Sequence, residues 1–197
     1  MASANLRRVA IDSSVINWKA GQGLVSSVQG KPDKRREYEA IVQLFDLQDK
    51  GRVTLVRVDQ VDRETEATAS ESKRAKLVAV RESCRENWLL TRFASSTKSK
   101  RASRSPPKSG INLKDGARWM TQDSKKKIDD YVSHGKTDKE RVDLEVLATV
   151  AIADVNTFVT VDDHLLDNPK IKDFVKREDN IDVCQPSHVV EQLLATL

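Results

Sequence analysis

Asp12, Glu64, Asp143 and Asp162 lie far apart in the chain, each beside an apolar run or early in a helix-like segment. Carboxylates brought together in a crevice of low polarity repel one another, and their pKa values rise unless a positive charge neutralises them. A divalent cation is the economical partner. Four oxygen donors with no accompanying His or Cys cluster match a hard ion, Mg²⁺ or Mn²⁺, better than zinc. Such an ion keeps several waters. A bound water of lowered pKa can attack a phosphodiester while the ion offsets charge growing on the phosphate oxygens. The chemistry to expect is hydrolysis of nucleic acid.

That expectation depends on the elements that carry the acids. Arg8-Val9-Ala10-Ile11 reads as a strand, and Asp12-Ser13-Ser14 as the start of a helix. Residues 33–50 repeat apolar positions at helical spacing, and Gly51 is placed as a stop. "RVTLVRV" (52–58) is β-branched and reads as a second strand. Residues 59–90 contain no Gly or Pro and suit one long helix or two in succession. The Ser/Lys/Arg/Pro segment 95–110 has almost nothing to bury and reads as a mobile loop. A further helix is expected over Trp119–Val132.

The last third is the most legible. Val142–Ala153 places Leu144, Leu147, Ala148 and Ala151 on one helical face, "NTFVTV" (156–161) and "IDVC" (181–184) read as strands, and Ser187–Leu197 as a closing helix. Strands alternating with helices predict the α/β class with a mostly parallel sheet. A helix starting at Asp143 rises about 16 Å by Asp154, and Asn156–Asp162 runs back about 20 Å. Asp143 and Asp162 should therefore meet at the carboxyl edge of the sheet, where open α/β sheets bind ligands. Asp12 directly follows the first strand, and Glu64 lies about one turn into the helix after the second, so all four acids are expected at that edge. Taken singly, Asp12, Asp143 and Asp162 could each be a helix N-cap, a common role worth about 1 kcal/mol. Glu64 alone could be a solvated helix residue, with Asp62 and Glu66 as rivals for its position. Only convergence separates a site from three caps and a surface glutamate.

"VAIDSSVI" (9–16), "DLEVLATVAIADVNTFVTVDDHLL" (143–166) and "VCQPSHVVEQL" (183–193) together resemble the PIN-domain ribonucleases. The resemblance covers both ends of the chain, whereas residues 65–135 match only in containing helices. It implies a Rossmann-like three-layer α/β/α sandwich spanning 1–197 as a single domain, with a basic insertion at about 95–118. It also implies metal-dependent cleavage of RNA, with Asp12, Glu64, Asp143 and Asp162 as the acidic quartet and Thr160 as a hydroxyl orienting an acid or a water. Many similar proteins are toxins silenced by a small antitoxin-like partner, and similar proteins often dimerise. At Ser14 a hydroxyl can donate to a carboxylate. His164 is read as a surface residue without catalytic role, with Asp163 beside it as a substitute acid.

Composition is consistent with a folded chain: 197 residues, 32% charged, with 5% aromatic. The net charge of +4 is unevenly placed, because residues 98–127 hold ten Lys/Arg against Asp115 and Asp123, which leaves the rest mildly acidic. Lys98, Lys100, Arg101, Arg104 and Lys108 are the candidates for holding an RNA backbone. No run approaches the roughly 20 apolar residues of a membrane span and no signal peptide is evident, so the expected compartment is the cytoplasm. Cys84 and Cys184 have no disulfide or zinc spacing and read as buried thiols. Two other function classes deserve weight. A catalytically degenerate RNA-binding module would use the basic loop alone, and a phosphoacceptor receiver domain would need a Lys after a late strand, where this chain has Gln185-Pro186.

Overall fold

The computed structural model describes residues 7–21, 32–91, 117–119 and 122–195. In chain order these form β1 (Arg7–Ile11), α1 (Ser13–Lys19), α2 (Pro32–Asp49), β2 (Val53–Val58), α3 (Asp59–Glu66), α4 (Glu71–Ser83), β3 (Glu86–Thr91) and β4 (Ala117–Trp119). They continue as α5 (Gln122–Ser133), α6 (Asp138–Ile152), β5 (Thr157–Val159), α7 (Asp163–Leu166), α8 (Pro169–Asp179), β6 (Asp182–Cys184) and α9 (Pro186–Leu194). The sheet runs β4-β3-β2-β1-β5-β6 and every pairing is parallel. The class is therefore α/β, as the alternation of elements predicts.

β1 lies in the middle, with Ile11 in register with Arg57 on one side and Val159 on the other. Val9, Ala10 and Ile11 are fully buried, as are Leu55, Val56 and Val58 of β2. A parallel strand covered on both faces needs such a continuous apolar run. From β1 the chain builds outward through β2, β3 and β4, then returns to β5 on the opposite side of β1. The order reverses between β1 and β5, and the carboxyl ends of those two strands bound the crevice this reversal creates. α1, α2 and α9 pack together, as do α5, α6 and α8, an arrangement compatible with a three-layer sandwich.

Several boundaries depart from expectation. α6 starts at Asp138, because Thr137 and Glu140 form a reciprocal capping box there; the apolar stripe from Val142 marks only the part that faces the core. Asp143 therefore sits in the second turn, about 8 Å along the axis, and does not cap the helix. Residues 86–90, expected to end a helix, belong to β3, which pairs with β2 from Val56↔Glu86 to Val58↔Trp88. Trp119, expected to open a helix, belongs to β4, and α5 starts at Gln122. A short apolar run such as Trp88-Leu89-Leu90 is ambiguous until a neighbouring strand offers it a ladder. α8 was not anticipated, although Asn168 caps it, Pro169 opens it and Asn180 ends it in the left-handed conformation at φ 55°.

Lys125, Lys126 and Lys127, the end of the basic run, lie in α5, and Lys127 pairs with Asp179. The loop over 95–110, and with it Lys98, Lys100, Arg101, Arg104 and Lys108, lies outside the described residues. Cys84 is buried and Cys184 half-buried, both as free thiols. Among the described residues no helix is long and apolar enough to cross a membrane.

Candidate active site

β1 ends at Ile11 and delivers Asp12 to the crevice, where its backbone N–H bonds to the Val159 carbonyl at 3.0 Å. Its carboxylate is closely held. Oδ1 accepts the Ser13 N–H at 2.7 Å, which makes Asp12 the N-cap of α1. Oδ2 accepts the hydroxyls of Ser14 at 2.6 Å and Thr160 at 2.7 Å. Both hydroxyls also accept: Ser14 Oγ takes the Val161 N–H at 3.2 Å, and Thr160 Oγ1 takes the Asp162 N–H at 3.0 Å. With each hydrogen already directed at Asp12, the 3.3 Å separation of the two oxygens is proximity and not a further bond. Thr160 is fully buried. It orients the acid Asp12 and does not itself line the crevice.

β5 delivers Asp162 beside Asp12. Asp162 caps α7 by accepting the His164 N–H at 2.9 Å, and its Oδ2 lies 3.2 Å from Lys139 Nζ. Asp143, on α6, is 3.2 Å from His164 Nδ1 through its own Oδ2. Glu64 extends from α3. Asp12, Glu64, Asp143 and Asp162 line one cavity of about 390 Å³, together with Lys139. Leu165 is buried beneath it and fixes the turn that follows β5.

The electrostatics agree with that convergence. Burial raises the pKa of Asp12; bonds from Ser14, Thr160 and Ser13 oppose the rise, and the charge of Glu64 adds to it. Burial also raises the pKa of Asp143, which His164 counteracts and Asp162 reinforces. Two carboxylates from distant segments thus feel two others across the cavity. Even so, among the described residues no three His, Cys, Asp or Glu side chains stand close enough to ligate one ion together. The acids share a cavity without closing into a cage.

Lys139, not singled out in the sequence, and the imidazole of His164 border the acids. Lys139 precedes Asp143 by four residues, a spacing that brings side chains together on a helix. His164, read as a bystander, holds Asp143. Asp163, read as a substitute acid, instead faces solvent and lies 3.9 Å from Lys34 Nζ. No protein-family model matches this sequence, and no curated protein matches it.

Proposed function

We propose that the protein is a metal-dependent endoribonuclease of PIN-like type, hydrolysing RNA phosphodiester bonds at the cavity between β1 and β5. The observation that carries this reading is the arrival of Asp12, Glu64, Asp143 and Asp162, from four separate segments, at a single cavity. Helix capping accounts for Asp12 and Asp162. It does not account for Asp143 in mid-helix or for Glu64 turned toward the same space.

The donor set fits a hard ion held partly through its own waters. Mg²⁺ is commonly bound by one or two carboxylates with water completing its shell, so three protein ligands at contact distance are not required. The raised pKa values of Asp12 and Asp143 mark buried negative charge that a cation would relieve. When bound, the ion would supply a water of lowered pKa and positive charge facing the phosphate. The chain's own residues do the rest. Ser14 and Thr160 fix Asp12, His164 steadies Asp143, and Lys139 supplies a positive charge at the cavity mouth where a phosphate would approach.

A second reading, a PIN-like RNA-binding module without catalysis, draws on the same geometry: Lys139 already pairs with Asp162, and His164 Nδ1 already lies 3.2 Å from Asp143. Purified protein incubated with labelled RNA and DNA, in Mg²⁺, Mn²⁺ or chelator, separates the two. The nuclease cuts RNA only with metal, and Asp143→Ala abolishes both cleavage and Mn²⁺ binding. A binding module cuts nothing and retains its RNA affinity in Asp143→Ala.

A further inference from the structure

The acids occupy only part of their cavity. Trp18, Val142, Val146, Phe158, Val161 and Leu165 line the same cavity with apolar surface. Metal hydrolysis by itself has no use for an exposed aromatic and aliphatic lining. Trp18 is half-buried against the core, and Val142 is left 44% exposed at the lip. Asn17 lines the same space, and neither its amide nor the Trp18 indole N–H is hydrogen-bonded to another described residue.

An indole face, an aliphatic side chain and an uncommitted amide next to a site for phosphate chemistry share one natural occupant, a planar heterocycle with polar edges. We infer that Trp18, Val142 and Asn17 form a seat for one unpaired nucleobase adjoining the phosphate to be cut. This inference rests on the nuclease reading and deepens it. Stacking on an aromatic ring tolerates any base, while an amide can address the pairing edge that only an unpaired base exposes. In a duplex both the face and that edge are engaged, so a double-stranded substrate cannot fill the seat.

The test uses the full chain and two independent probes. Uncharged nucleosides, adenosine and cytidine, need no metal and are not repelled by the acids. Titrated at millimolar concentration in chelator, they should quench a component of tryptophan fluorescence that is missing from Trp18→Phe. If no Trp18-dependent quenching occurs, the seat is overturned, whether or not the protein is a nuclease. Cleavage of a single-stranded RNA hexamer in Mn²⁺ is the second arm. Trp18→Phe should cut it within a few-fold of the wild type, and Trp18→Ala should raise KM about 10-fold or more, in line with the loss of one stacked base. Equal cutting of the hexamer and its duplex by wild type also overturns the seat. Nucleoside quenching without any cleavage leaves the seat standing and defeats the nuclease reading, so the two failures are distinct.

Discussion

The Thr160 hydroxyl donates to Asp12 Oδ2 at 2.7 Å across 148 residues of chain, while its oxygen accepts the Asp162 N–H at 3.0 Å. One buried side chain thus holds the first acid of the site and the backbone of the last. Thr160→Val keeps the shape and removes both bonds. We expect Mn²⁺ affinity to fall about 10- to 100-fold, as when a supporting partner of a metal ligand is lost. Stability should fall by about 1 to 3 kcal/mol. Calorimetric titration and urea unfolding measure the two, and Thr160→Ser should recover most of both. A folded valine variant with unchanged Mn²⁺ affinity would remove Thr160 from the site.

Lys139 competes with any incoming ion for Asp162. Their 3.2 Å pair is half-exposed, so it adds under about 1 kcal/mol to stability. Lys139→Met should tighten Mn²⁺ binding about 2- to 5-fold, the same free energy read as a binding constant. RNA affinity should weaken. If the methionine variant binds Mn²⁺ less tightly, the lysine supports the ion and does not compete with it.

Far from the site, Glu37 of α2 caps α9. Gln185 makes no side-chain cap, and the buried Glu37 accepts the Ser187 N–H at 2.9 Å and the Ser187 hydroxyl at 2.5 Å. Glu37→Ala leaves that helix end without its acceptor and should cost about 2 to 3 kcal/mol in urea unfolding. Glu37→Gln, which keeps an oxygen, should cost less. Mn²⁺ affinity should stay unchanged in both, since α9 contributes nothing to the cavity lining.

Burial pushes the Cys184 thiol from 9.0 up to about 11, with Asp182 adding to the rise. The folded state holds this proton more tightly than the unfolded chain. The associated stability is therefore complete below pH 9.0 and is lost as pH climbs toward 11, by about 2 to 3 kcal/mol in all. Cys184→Ala should lose stability less steeply over that window. In a Cys84→Ala background, iodoacetamide labelling should be slow at pH 8 and rise with a midpoint near pH 11, because the thiolate is the nucleophile. Fast labelling at pH 8 would contradict the burial seen here.

The sequence alone was enough for the α/β class and for the meeting of Asp12, Glu64, Asp143 and Asp162 at one cavity. β1, β2, α2 and α9 are legible because each carries its own apolar period and its own stop, such as Gly51 at φ 68° after α2. β3 was not legible: Trp88-Leu89-Leu90 follows a helix-forming stretch, and only the ladder offered by β2 makes it a strand. Local preference is a weak vote when a partner strand is available.

The site divides in the same way. Residue type and position nominated Asp12, Glu64, Asp143 and Asp162, since acids at strand ends and early in the neighbouring helices fall at the carboxyl edge of the sheet; Thr160 came only with the family resemblance. Which groups meet there was decided by the reversal of strand order between β1 and β5. That reversal brings Thr160 under Asp12, and the packing of α6 brings Lys139 to Asp162 and Asp143 to His164. Trp18 lines the same cavity as the acids. Sequence determines which side chains exist and what they can do; distances between remote segments follow from packing a whole core, and no local pattern encodes them.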